Sequence, residues 1–261
     1  NFDVPGPMTR NVADAAALLG AMAAGGPDDR DAATAESRGP PGYDYVAGLA
    51  TRRDGVRLGY EPDSSARFQQ ALTNLSSLGF ELVPIEPDDT QQVSILEIGL
   101  VFNEFKAGLN DYLANVAGPG LPVQDLTGII LYNHEHGVTE QEQLIASDLT
   151  PGLIPLADAT ALPVVLAARN RADAMFADNE IAAMVALGGD HVSLGAAAGY
   201  PTVAVPAGYE GDSPQGLTFF GPAFSEAALL SYAYAYEQAT MARVPPTVLE
   251  GAFAAAACGG I

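Results

Sequence analysis

Apolar residues follow two alternating spacings in the middle of the chain, one typical of buried strands and the other of an amphipathic helix. Residues 56–60 and 80–85 are short apolar runs of strand length. Between them, apolar side chains recur every three or four residues: Phe68, Leu72, Leu75 and Leu78. Ser64 or Ser65 can cap this helix and Gly79 can end it. The pattern predicts a β-α-β unit, whose right-handed crossover makes its two strands parallel.

Two helical patterns lie on either side of this unit. Asn11 begins an Ala/Leu-rich helix that runs to about Met22. A second pattern runs from Thr90 to a Gly-Pro-Gly break at 118–120, which predicts a helix of about six turns. Its apolar positions are Val93, Leu96, Leu100, Phe105, Leu109 and Tyr112. The segment 28–48 is rich in Gly, Pro and Asp, so an irregular surface connection is expected there.

The last third of the chain combines strand and turn signals. An apolar strand is expected over 181–187, and Gly199 can end the helix that follows. The extended run 202–205 is closed by a proline, residues 214–216 have turn chemistry, and 217–220 form an apolar run typical of a buried strand. Together with the β-α-β unit, this predicts an α/β protein with a mixed β-sheet core flanked by helices.

Charge excludes two classes of partner. The net charge is −21, with 32 acidic residues against 11 basic ones, and the acidic residues are scattered along the chain. Phosphate backbones and anionic lipid surfaces repel such a protein, so neither nucleic acid nor membrane is expected as a partner. The acidity is compatible with a saline habitat or with a GC-rich genome.

Targeting signals and cysteines add little about the compartment. No apolar run approaches the roughly 20 residues that span a bilayer, and the start has no signal-type apolar core. A soluble protein is therefore expected, and the cytoplasm is favoured over other compartments. The single Cys258 excludes an internal disulfide.

Three residue groups are candidates for chemistry when judged by type alone. His134 and His136 stand two residues apart and, with His191, would complete a three-histidine zinc site. They lie in a helix-to-loop context, however, so no metal is expected. Ser193 and Ser213 lack the G-x-S-x-G pattern of a serine nucleophile. The first suits the N-cap of a short helix and the second suits a turn.

Lys106 is the only lysine of the chain and therefore the only lysine that could act as a base. It lies within the predicted long helix, between Phe105 and Ala107, with acidic residues nearby and no serine-rich partner. An ion-paired or snorkelling lysine fits this context better than a catalytic one.

Three sequence blocks resemble those of one enzyme family, in the same order. Residues 3–16 match the pattern D-x-x-G-P-M-x-R-x-V-x-D-A-A, and 103–114 match the helix EFK-x-x-LN-x-YLA. The third block, 197–240, contains GYPTVAVPAGY, GLTFFG and the helix SEAALLSYAYAYEQAT. The chain thus resembles the amidase signature family, and its peptide-amidase-like members in particular.

This resemblance implies amide hydrolysis by a serine nucleophile, a second serine in a cis peptide and a lysine base, all upstream of the first block. The chain holds no GGSSGGS-like run. We therefore expect residues 1–261 to form a single domain that is incomplete at its N-terminus and contains no catalytic residue. No cofactor is implied. The residues expected to line the substrate cleft are Asp3, Asn133, His134 and Glu135.

The expected partners are a small-molecule or peptide amide substrate, and either the missing N-terminal segment or a second copy. One departure from the family pattern lies between Glu180 and Ser193, where the usual Pro-Thr after the strand is absent. The alternative function is a non-catalytic scaffold or binding chain, either a degenerate amidase or one half of a two-chain enzyme.

Overall fold

The structure is a computed structural model of the 261-residue chain that describes residues 6–27, 34–35, 43–51, 54–86, 91–118, 120–189 and 192–245. The helices are α1 (Val12–Ala23), α2 (Ala66–Ser77), α3 (Gln91–Asn115), α4 (Leu126–Glu135), α5 (Glu142–Asp148), α6 (Ile154–Asp178), α7 (Val192–Ala198) and α8 (Glu226–Thr240). The strands are β1 (Arg57–Tyr60), β2 (Glu81–Pro84), β3 (Ala183–Leu187), β4 (Thr202–Glu210) and β5 (Ser213–Phe220). A short 3-10 helix spans Ala47–Ala50.

The five strands form one mixed sheet in the order β2-β1-β3-β5-β4. β1 pairs in parallel with β2 and with β3, whereas β5 pairs antiparallel with both β3 and β4. The predicted α/β class with a mixed sheet is therefore confirmed. The β-α-β unit is confirmed as well, because α2 connects the parallel neighbours β1 and β2.

The helices cover both faces of this sheet. One core cluster packs α1, α2 and α8 against one face, with Leu58, Leu217 and Phe219 fully buried. The other cluster packs α6 and α7 against Met184 and Phe220 on the opposite face. Burial of these apolar side chains is the main force that holds the three layers together.

Local signals set the ends of α1 and α2. The Asn11 side chain accepts a hydrogen bond from the Asp14 N–H, which caps α1. Of the two predicted serine caps for α2, Ser65 is the one used, since its Oγ accepts from the Phe68 N–H. Gly79 follows α2 with φ 91°, a conformation that glycine adopts at little cost.

The β4–β5 hairpin corrects the predicted turn at 214–216 and the predicted strand end at Pro206. Both strands continue through these positions, and the turn lies at Gly211 and Asp212. The Pro201 carbonyl accepts a hydrogen bond from the Gly221 N–H. In this antiparallel pair, every second residue of β4 directs its N–H and C=O toward β5. Counted from Pro201, Pro206 is one of the residues whose backbone groups face away from β5. The missing N–H of Pro206 therefore removes no bond to β5.

Two further expectations differ from the structure in extent. α3 has 25 residues, about seven turns rather than six. α7 begins at Val192, so Ser193 lies inside that helix and is not its N-cap. Within the described ranges, no helix has the length and apolar character needed to cross a membrane. Most of the predicted connection 28–48 lies outside the described residues.

Candidate functional site

A cavity follows the outer edge of β4. β4 is the last strand of the sheet and pairs with β5 on one side only. Its other side opens on a cavity of about 970 Å³. The walls come from the segment before α1, from α1 itself, from α8 and from the turn after α7. A strand edge of this kind presents backbone N–H and C=O groups that can pair with another extended segment.

Four charged side chains line this cavity. Arg10 and Arg243 line it together with Glu226 and Glu237. The Glu237 carboxylate accepts from the Val12 N–H at 3.0 and 3.2 Å, so α8 satisfies a free backbone donor at the start of α1. Burial, and secondarily the Glu226 carboxylate, raise the pKa of Tyr45.

Tyr200 lies in the cavity wall just before β4. Its hydroxyl donates to Asp173 at 2.6 Å, which links the wall to α6. Burial and the Asp173 hydrogen bond raise the pKa of Tyr200 to about 12, and Arg169 acts in the opposite direction. The phenol is therefore neutral at physiological pH and serves as a hydrogen-bond donor.

Lys106 is engaged in structural contacts. Its ammonium donates to the backbone oxygens of Asp148 and Thr150, and it forms an ion pair with the Asp148 carboxylate at 3.2 Å. Thr127 donates to the same carboxylate at 3.1 Å. The ion-paired interpretation of Lys106 is therefore confirmed.

Asn103 lies one helical turn before Lys106, on the same face of α3. This side chain is buried, and its amide donates to the Leu153 oxygen at 3.0 Å while its oxygen accepts from the Leu153 N–H at 3.2 Å. Asn103 and Lys106 thus hold the segment 148–153 between α5 and α6; we call this group the α3 clamp. The sequence does not predict this role of Asn103, although the residue lies only three positions before Lys106.

The three predicted cleft residues that the structure describes do not line the β4 cavity. Asn133, His134 and Glu135 form the last turn of α4, and none of them lines a described cavity. Asn133 donates to the buried Gln141 at 2.9 Å, whereas His134 and Glu135 are exposed. Asp3 lies outside the described residues. Their assignment to a substrate cleft stays a prediction.

The other candidates for chemistry show structural contacts. The His136 ring stacks on the Tyr132 ring with centroids 4.0 Å apart, and its Nδ1 lies 2.7 Å from the backbone oxygen of Tyr132. Ser213 opens β5 and accepts a hydrogen bond from Gln215. His191 and Cys258 lie outside the described residues. The residues that the structure describes contain no group of three or more His, Cys, Asp or Glu placed to hold a metal ion.

Comparison with known proteins shows similarity to amidases in both sequence and fold. The Amidase family model matches residues 1–230. A probable amidase of Arabidopsis thaliana is 31% identical over 262 residues, which cover 94% of this chain and 50% of that protein. An amidase of Pseudomonas putida is 27% identical over 259 residues, covering 92% of this chain and 54% of that protein.

Two solved structures share the fold at similar coverage. The peptide amidase from Stenotrophomonas maltophilia superposes with a TM-score of 0.76 at 36% identity, over 92% of this chain and 54% of that one. An amidase family protein from Bacillus anthracis gives a TM-score of 0.79 at 27% identity, over 94% of this chain and 50% of that one. The chain therefore spans about half the length of these proteins.

Proposed function

The chain belongs to the amidase family, and from that membership we propose that the complete protein hydrolyses the C–N bond of a carboxamide. In this proposal a serine attacks the amide carbonyl and forms an acyl-enzyme as ammonia or an amine leaves. Water then releases the acid and regenerates the serine. The similarity to a peptide amidase favours small-molecule or peptide amides as substrates.

We place the reacting serine, cis-serine and lysine outside these 261 residues. The observation that carries this is the state of Lys106, the only lysine of the chain. Its ammonium is held by two backbone oxygens and by the Asp148 carboxylate, so it is oriented into the α3 clamp. A general base needs a free lone pair within reach of the nucleophile, whereas these three contacts direct the Lys106 nitrogen at the segment 148–153.

In the same proposal the chain supplies scaffold and part of the substrate cleft. The open edge of β4 beside a cavity of about 970 Å³ supports a partner that adds to the sheet, either a further segment of the protein or a second copy. Exposed apolar side chains on α3, among them Phe105 and Tyr112, support a covering layer as well. Neither a cofactor nor a metal is part of the proposed chemistry.

Two proteins test this proposal: the 261-residue chain alone, and the same chain preceded by whatever coding sequence lies upstream in its gene. Ammonia release from a C-terminally amidated dipeptide is measured for both. We expect turnover from the extended protein and none from the chain alone. A serine-directed fluorophosphonate probe should label the extended protein outside Ser193 and Ser213.

A lysine variant provides the matched control. Lys106→Met in the extended protein should retain turnover, because the ammonium acts on the segment 148–153 and not on the substrate. Turnover by the 261-residue chain alone would contradict the proposal, as would complete loss of turnover in a Lys106→Met protein with an unchanged circular dichroism spectrum. An extended protein that binds amides without cleaving them would favour the scaffold alternative.

A further inference from the structure

Two arginines differ from the other described cations in having no partner within the described part of the chain. Neither Arg10 nor Arg243 forms a hydrogen bond or an ion pair with any residue that the structure describes. Most other cations in the described ranges donate to a carbonyl or carboxylate with known geometry: Arg57 to Glu180 and Glu81, Arg67 to Tyr209, Arg169 to Ala198, and Lys106 to Asp148. In a chain of net charge −21, these two exposed guanidinium groups line one cleft with no ion-pair partner among the described residues.

Both arginines line the same cleft at the end of the β4 cavity. This cleft has a volume of about 270 Å³ and is bounded by Pro206 on β4 and by the chain that leaves α8. Met241 follows α8 in the left-handed conformation, with φ 45°, and its N–H donates to the backbone oxygen of Glu237. That αL end turns the chain back, which places Arg243 beside the segment that carries Arg10.

The carboxylate that lines this cleft is already used. Both oxygens of Glu237 accept from the Val12 N–H, and one of them also accepts from the Gln238 amide at 3.3 Å. The other carboxylate of the larger cavity, Glu226, interacts with Tyr45 and does not line the smaller cleft. Two guanidinium groups against one engaged carboxylate leave this cleft with an excess of positive charge.

We propose that the cleft between Arg10 and Arg243 is a carboxylate-binding site. Guanidinium groups bind carboxylates through two parallel N–H···O bonds, which gives a planar, directional fit that a lysine does not provide. The carboxylate belongs either to a free organic acid or to an acidic side chain of an extended polypeptide lying along β4. The inference does not depend on amide hydrolysis, so its test needs no turnover.

NMR of the 261-residue chain with ¹⁵N-labelled arginine tests this proposal, with the Nε–Hε signals of Arg10 and Arg243 as the readout. Succinate is the free-acid probe, and acetyl-Val-Asp-Val-amide is the peptide probe. Acetyl-Val-Asn-Val-amide is the matched peptide without a charge. We expect saturable shifts of both arginine signals with a carboxylate probe and none with the Asn peptide. Tighter binding of the Asp peptide than of succinate identifies a polypeptide source, and the reverse order identifies a free acid.

Variants decide whether the two guanidinium groups are responsible. Arg10→Met and Arg243→Met should each weaken binding about tenfold, the usual consequence of losing a charge-assisted hydrogen bond. Arg57→Met removes the same charge at the β1–β2 side of the sheet and should leave binding unchanged. Arg243→Lys keeps the positive charge but cannot form the two parallel N–H···O bonds of a guanidinium group. This variant should therefore bind the carboxylate probe more weakly than the parent protein, even if the Met variants fold poorly.

Three results would overturn the proposal. The first is a shift that never saturates with either carboxylate probe. The second is saturable binding of the Asn peptide that equals that of the Asp peptide. The third is unchanged binding in a folded protein that carries both Arg10→Met and Arg243→Met.

Discussion

The sheet and the α3–α5 helical layer bury their apolar side chains to very different degrees. On the central strands β3 and β5, Met184 and Phe219 are 1% and 0% exposed. On α3, by contrast, Ile98, Phe105 and Tyr112 recur every seven residues and are 49%, 42% and 51% exposed. The sheet has helices on both faces, whereas this stripe of α3 has no covering element among the described residues.

The two regions also differ in what holds them together. The sheet is covered by apolar packing on both faces. The helical layer depends on the α3 clamp, in which a buried amide and an ammonium bind the backbone of 148–153. The sheet is therefore stabilised mainly by apolar burial, and the α3 clamp adds directional hydrogen bonds to the helical layer.

The largest expected effect comes from equivalent phenylalanine substitutions in the two regions. Phe219→Ala removes a fully buried ring and should lower the free energy of unfolding by about 3 to 5 kcal/mol. Phe105→Ala removes a ring that is 42% exposed and should cost about 1 kcal/mol or less. Urea unfolding followed by circular dichroism measures both. Equal losses would show that the stripe on α3 is covered in solution.

The α3 clamp gives the next effect. Asn103→Ala removes the buried amide that bonds to both the Leu153 N–H and the Leu153 oxygen, so the free energy of unfolding should fall by about 1 to 3 kcal/mol. Asn115→Ala, at the exposed end of α3, is the matched control and should change it by less than about 0.5 kcal/mol. Hydrogen exchange at Leu153 should also accelerate in the first variant. An unchanged exchange rate would argue against the clamp.

Local signals predicted the sheet well because each one acts within a few residues. Ser65 and Gly79 fix the ends of α2, and the apolar runs on either side must then meet as parallel strands. The prediction of a turn at 214–216 is wrong because Pro206 and Pro214 do not break their strands. At an open edge and at a strand start, a proline removes no required hydrogen bond.

Contacts distant in sequence could not be predicted in the same way. α6 was not foreseen, since Pro163 interrupts its sequence, yet the helix continues through it. Packing of Ala168 and Ala172 against the sheet outweighs that local cost. The partners of Lys106 and Asn103 lie more than 40 residues away, so the sequence suggested an ion pair without naming Asp148 or Leu153.

The smallest expected effect is a change in the pH dependence of the free energy of unfolding, caused by Tyr200 in the wall of the β4 cavity. Tyr200 has a pKa raised to about 12, so its neutral form is favoured by folding. A raised pKa means that this contribution is complete below the unfolded value of about 10 and is lost as the pH rises toward 12. The free energy of unfolding should therefore fall more steeply over that interval in the parent than in Tyr200→Phe.

The raised pKa values of Tyr45 and Tyr236 persist in both proteins and cancel in this comparison. Urea titrations at a series of alkaline pH values give the two curves, and absorbance at the phenolate band reports the titration directly. Because Tyr200 bonds to Asp173 at 2.6 Å, Asp173→Asn should bring its titration closer to that of an ordinary tyrosine. Parallel curves for the parent and Tyr200→Phe would mean that the link between the cavity wall and α6 is absent in solution.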